Sequence, residues 1–158
     1  MASSTGTYFP YRTPHGPLTI RASARGITHV VLGHVELAGL RRPSALANRA
    51  ATELLEYFAG KRAAFDVPLD TEGSAFQLAV WDELSRIPYG SARTSAEVAS
   101  LMGCPGSYRA VGAAVRKNPL AVLVPDHRVV GSDGRPSGSG AAARLKSALL
   151  DMERSRLA

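Results

Sequence analysis

The apolar residues of this chain change their period near residue 70, and that change limits how it can fold. Before it, short apolar or β-branched runs are broken by turn formers: Tyr8-Phe9, the Thr13-Pro14-His15-Gly16-Pro17 turn, Leu18-Thr19-Ile20, Gly26, then Ile27 to Leu32. Runs of that kind, bounded by Gly and Pro, predict antiparallel strands. Pro43 to Gly60 reads as one amphipathic helix, with Leu46, Ala50, Leu54, Leu55 and Phe58 at helical spacing and Gly60 as a stop. Phe65 to Leu69 is a short extended piece. The polar stretch Asp70 to Ser74 marks a boundary between domains at residues 1–73 and 74–158.

Beyond the boundary the patterns turn helical. Ala75 to Ile87 puts Phe76, Val80, Trp81 and Leu84 on one side and stops at Pro88-Tyr89-Gly90. Thr94-Ser95-Ala96-Glu97 has the spacing of a capping box, in which hydroxyl and carboxylate satisfy each other's backbone donors at the start of a helix that runs to Met102. Gly103-Cys104-Pro105-Gly106 is a tight turn leading into a helix over Gly106 to Lys117. Two short helices joined by a Gly-containing turn form a helix-turn-helix. The second carries Arg109, Arg116 and Lys117 beside Ala110, Gly112, Ala113 and Ala114. That composition suits either a helix whose backbone lies close to a nucleic acid or a small-residue helix packed in a core. Leu120 to Val124 reads as a buried strand and Pro125 to Gly140 as loop. Ala142 to Arg154 reads as a closing helix with Leu145, Leu149, Leu150 and Met152 inward.

Nineteen Lys and Arg against thirteen Asp and Glu give a formal charge of +6, the balance of a protein that meets a polyanion. The single cysteine, Cys104, rules out an internal disulfide and a thiolate zinc cluster, and in the turn before the second helix it is expected outside any pocket. His15, His29 and His34 have no thiolates at matching positions, so no metal and no cofactor are expected. Met1 to Pro10 lacks the basic start and apolar core of a signal peptide, and no run has membrane-spanning length. A cytoplasmic monomer with no membrane partner is the expectation.

A set of short motifs in a specific order resembles a known family over nearly the whole chain. They are Gly16-Pro17-Leu18-Thr19, Tyr57-Phe58-Ala59-Gly60, Phe65-Asp66-Val67-Pro68-Leu69, Phe76-Gln77, Val80-Trp81, Ile87-Pro88-Tyr89-Gly90, Arg109-Ala110-Val111-Gly112, Asn118-Pro119 and Val124-Pro125-Asp126-His127-Arg128-Val129-Val130-Gly131. The family is the O6-alkylguanine-DNA alkyltransferases, which move an alkyl group from O6 of guanine to their own cysteine. The resemblance implies an α/β protein with a small RNase H-like N-terminal domain and a C-terminal helical domain bearing a winged helix-turn-helix. It also implies double-stranded DNA, damaged, as the partner. The second helix, with Ser107, Tyr108, Arg109, Ala110, Gly112, Arg116 and Lys117, would face the DNA together with Thr94 and Ser95. Arg109 would replace a base flipped into a pocket formed by Ser95, Pro125, Val129, Ser139 and Gly140, because an atom inside the stack cannot be reached.

By the same resemblance the family's Pro-Cys-His-Arg signature reads here as Pro125-Asp126-His127-Arg128, with Asp126 where the acceptor cysteine belongs. His127 would be the general base, Glu153 its orienting partner and Asn118 the brace of the loop, as an activated nucleophile requires. A carboxylate needs no base, yet it accepts alkyl groups far less readily than a thiolate. Ser95 and Ser139 stand where the family usually has tyrosines, Ala141-Ala142 replaces a glycine pair, and Tyr108 replaces a small residue and could either stack or wedge at the groove or crowd the helix out of it. Three readings follow. One is a non-catalytic DNA-binding protein that marks alkylated or distorted DNA for other repair proteins, as alkyltransferase-like proteins do. The second is an enzyme of altered chemistry using Asp126 and His127, including an ester on Asp126 that water removes. The third is a folded interaction module without a DNA role.

Overall fold

Turn chemistry at Thr13–Gly16, where Thr13 Oγ1 donates to the Gly16 carbonyl at 2.6 Å, returns the chain on itself and begins a sheet. In the computed structural model, which describes residues 6–157, β1 (Thr7–Tyr11), β2 (Leu18–Ala22) and β3 (Ile27–Leu32) pair antiparallel in sequence order. The reading of Met1 to Thr5 lies outside the described residues. β2 is central and buried along its whole length, so its side chains face cover on both sides. A two-residue β4 (Leu40–Arg41) joins β1 in parallel, an edge too short and too exposed to leave an apolar pattern in the sequence.

Helix α1 (Ala45–Phe58) packs on this sheet and is capped by Ser44, whose hydroxyl accepts from the Ala47 N–H. Its inward face carries Ala47, Ala50, Leu54 and Phe58; Leu55, expected there, is exposed. Between them sits the buried Glu53, accepting from the Asp66 and Val67 N–H groups at 2.8 and 3.1 Å. A helix carboxylate thereby fastens the segment after α1 and satisfies backbone donors that burial would otherwise leave unpaired.

The chain forms two compact units: one holds the chain up to Glu72 together with Pro119–Leu123, the other Gly73–Asn118 together with the chain from Val124. Pro119–Leu123 therefore returns to the first unit, whereas the sequence reading kept it in the second domain. Nor is Leu120 to Val124 a strand. Leu120 makes a single bridge to Val30, and Val122 adopts a positive φ of 71° that no regular strand permits. The run is apolar because it is buried, and periodicity alone cannot separate such a run from a strand.

In the second unit α2 (Ala75–Leu84) starts at a capping box of Ser74 and Gln77 and stops three residues short of Ile87 in consecutive turns. β5 (Arg93–Thr94) leads into α3 (Ser95–Leu101), where Thr94 and Glu97 form the expected capping box. Pro105–Ser107 is a single 3-10 turn rather than the first turn of the next helix, so α4 spans Tyr108–Arg116. The stretch read as loop holds another 3-10 turn, Asp126–Arg128, and β6 (Val129–Val130). The closing helix α5 runs over Gly140–Leu157, with Leu145, Leu149 and Leu150 inward; Met152 is half-buried and Glu153 takes the inward place beside it. Among the described residues no helix is long and apolar enough to cross a membrane.

Trp81 joins two of these helices: its indole N–H donates to the Ala114 carbonyl at 2.8 Å from a nearly fully buried ring. Trp81→Phe keeps most of the ring and loses that bond, so urea titration should show a loss of about 1 kcal/mol or somewhat more. An unchanged midpoint would mean that the bond is replaced by water.

Candidate functional site

From Val124 to Val129 every residue is buried, an unusual density for a segment containing three ionisable side chains. The 3-10 turn is closed by the Arg128 N–H donating to the Pro125 carbonyl at 3.1 Å. β6 then pairs in parallel with β5, Arg93 opposite Val129 and Thr94 opposite Val130. This pairing sets Thr94 and Ser95, at the start of α3, beside the strand that follows the turn.

The turn is anchored on α5 through one carboxylate. Glu153 has no exposed surface and takes Arg128 in a two-point pair, Nε to Oε1 at 2.9 Å and Nη2 to Oε2 at 2.8 Å. His127 Nε2 donates to Oε2 at 2.8 Å, since an ionised carboxylate only accepts. The Gly90 N–H adds a bond to Oε1 at 2.8 Å, and Arg128 Nη1 donates to the Ile87 carbonyl at 2.8 Å, so the Ile87–Gly90 loop is held as well. Gly90 sits at φ +80°, a conformation open to glycine, and a Cβ there would collide with Leu157 Cδ1. Removing one partner from a buried ion pair of this sort costs about 3–5 kcal/mol, because the other charge is left without compensation.

Asp126 points to different partners. Its carboxylate is 3.7 Å from Lys146 Nζ on α5 and hydrogen-bonded by the Asn118 side chain, whose Nδ2 also donates to the Val124 carbonyl at 3.0 Å. Burial pushes the Asp126 carboxyl above the ordinary carboxylate range, while Lys146, His127 and Asn118 draw it back. His127 and Glu153 thus form one group, and Asp126 and Asn118 belong to another, joined to the same turn. Lys146 is a further member that the sequence reading missed; it lies twenty positions from Asp126 and no local motif links them.

The basic residues assemble elsewhere. On α4, Val111, Ala114 and Val115 face inward, which leaves Tyr108, Arg109, Ala110, Arg116 and Lys117 exposed and Gly112 half-buried. Ser107 closes the 3-10 turn before the helix, and Cys104, half-buried, precedes that turn. Ser95 Oγ and Arg116 Nη1 each lie 3.6 Å from the point where a Cβ on Gly112 would stand. Of the residues read as a base pocket, Pro125 and Val129 are buried beside Asp126 in the chain, Ser95 is half-buried, and Ser139 and Gly140 are exposed at the start of α5. Among the described residues no cluster of three or more His, Cys, Asp or Glu could hold a metal ion.

Residues 7–71 match the family model described as the ribonuclease-like domain of 6-O-methylguanine DNA methyltransferase, and residues 75–155 match its DNA binding domain. The chain belongs to this family. The methylated-DNA–protein-cysteine methyltransferase of Methanosarcina barkeri is 38% identical over 154 residues, spanning 92% of this chain and 95% of that protein. Its namesake from Mycobacterium bovis is 41% identical over 154 residues, spanning 92% and 93%. A crystal structure of Mycobacterium tuberculosis OGT in complex with DNA is 39% identical, with a TM-score of 0.86 and coverage of 95% of this chain and 94% of that one. The methyltransferase family thus accounts for both the N-terminal sheet unit and the C-terminal helical unit.

The raised proton affinity of Asp126 fixes a sign. The folded chain binds that proton more tightly than the unfolded chain does, so ionised Asp126 destabilises the fold at neutral pH, and this cost fades as pH falls through the folded pKa. Asp126→Asn should therefore melt higher than the parent at neutral pH, with the advantage shrinking toward about pH 4. A variant no more stable at neutral pH would show that Lys146 outweighs burial.

Proposed function

We propose that this methyltransferase-family chain binds duplex DNA at alkylated or distorted positions, does not accept the alkyl group, and leaves the lesion to other repair proteins. The observation that carries the reading is the Pro125-Asp126-His127-Arg128 run, which has Asp126 where the resemblance to the family puts the acceptor cysteine. Transfer requires a soft, poorly solvated nucleophile within reach of the alkyl carbon. Asp126 offers instead a carboxylate already engaged by Asn118 and Lys146. Attack on an alkyl carbon would have to give up part of both interactions.

The retained His127–Glu153 pair does not argue for catalysis. Glu153 also receives Arg128 and the Gly90 N–H, so its place is accounted for by the loop and helix it joins. The ester reading rests on the same Asp126 and differs in one observable, an adduct that forms and decays.

Three features support DNA as the ligand. The formal charge is +6, a relative of 39% identity is crystallised with DNA, and the exposed side of α4 is basic. Gly112 adds an argument of its own. A Cβ there would meet nothing closer than 3.6 Å, so protein packing does not demand glycine, although glycine inside a helix costs about 0.5–1 kcal/mol against alanine. Room kept at such a cost suits a ligand backbone that comes close to the helix.

On incubation with a duplex carrying labelled O6-methylguanine, intact-mass spectrometry should show the unmodified protein throughout. A stable gain of one methyl group would overturn the non-acceptor reading, and a transient gain would favour the ester. Gly112→Ala should separate stability from binding: the fold gains about 0.5–1 kcal/mol while duplex affinity falls. A more stable variant that binds as tightly as the parent would remove the close approach at Gly112.

A further inference from the structure

We propose that Tyr108 is a stacking residue, taking the π-face of a nucleobase left uncovered at an opened step of duplex DNA, with Arg109 held against it as a second flat surface. The inference rests on the DNA-binding reading above and assigns a role that the reading does not need. Tyr108 opens α4 and is 45% exposed, although the inward face of the helix is already filled by Val111, Ala114 and Val115. Its ring meets the Arg109 guanidinium at 5.9 Å to the centroid, its one ring contact among the described residues. A large aromatic side chain in that position contributes little to the core. What it presents is an open apolar face beside a cation, a combination that binds bases of any sequence.

Its neighbours define where a base would lie. Tyr108, Gly112 and Arg116 follow at steps of four residues and share one face of the helix. The middle of that face has no side chain at Gly112, and Ser95 Oγ and Arg116 Nη1 border it. At 1.5 Å per residue, Tyr108 and Arg116 are about 12 Å apart along the axis, or about three to four nucleotide steps of 3.4 Å. Arg116 can therefore hold a phosphate while Tyr108 covers a base several positions away. Ser95 provides no aromatic surface on this face, so Tyr108 is its aromatic residue.

The test is fluorescence anisotropy with three labelled oligonucleotides: a matched duplex, the same duplex with one abasic site, and its single strand. Tyr108→Ala should weaken binding to the abasic duplex and the single strand by about 5- to 150-fold, and to the matched duplex by less, while Tyr108→Phe stays within about twofold of the parent. Arg116→Ala should weaken duplex binding regardless of the abasic site and flatten its salt dependence by about one unit. If Arg116→Ala weakens binding and Tyr108→Ala does not, stacking is overturned while DNA binding stands. Equal losses for Tyr108→Ala on matched and abasic duplexes would make it a simple groove contact and overturn stacking likewise. If the parent binds none of the three, both readings fall. Tyr108→Trp gives an independent signal, because Trp81 is buried and contributes a steady background. Quenching of the new indole by the abasic duplex supports stacking, and its absence with binding intact overturns it.

Discussion

One carboxylate with no exposed surface orders the second unit. Glu153 projects from α5 and gathers Arg128, His127 and the Gly90 N–H, which come from two separate parts of the chain. Such a cluster adds little net stability over a well-packed apolar equivalent, since taking the charges out of water offsets their attraction. Its effect is to allow a single register between turn and helix. Lys146 lies seven positions before Glu153, two helical turns along the same face. Once Glu153 grips Arg128, Lys146 is set against Asp126 without any further requirement.

Adjacent residues of one turn thereby acquire separate tasks. His127 and Arg128 belong to the structural cluster around Glu153, whereas Asp126 belongs to the pair formed by Asn118 and Lys146. His127 and Arg128 both hold the turn to α5 through Glu153. Asp126 takes no part in that contact and is a buried carboxylate bonded by Asn118 and near Lys146.

The sequence was most legible where a local rule decides the structure. Thr94 and Glu97 announce α3 because a capping box needs only a three-residue spacing, and the strands up to Leu32 follow from turn residues that force reversal. Ser74 and Gln77 carry a similar signal, hidden within a polar stretch that reads as a boundary. Legibility failed where burial overrides residue type. Leu120 to Val124 is apolar because it is buried, without being a strand. The motif order placed Asp126, His127 and Asn118 as candidates from the sequence, and the resemblance added Glu153 by its position. Lys146 had no such marker, because its pairing depends on the helix phase that Glu153 imposes.

The passage of Pro119–Leu123 through the first unit makes the second unit discontinuous along the chain. A fragment cut at the composition boundary near residue 73 would carry Leu120, Val122 and Leu123 without the neighbours that bury them. Apolar side chains exposed in that way favour self-association over independent folding. On a ribosome the same connectivity means that the first unit stays incomplete until residue 123 has been synthesised. Completion of the first unit therefore waits on a stretch that lies inside the second, although the sequence reads as two tandem domains.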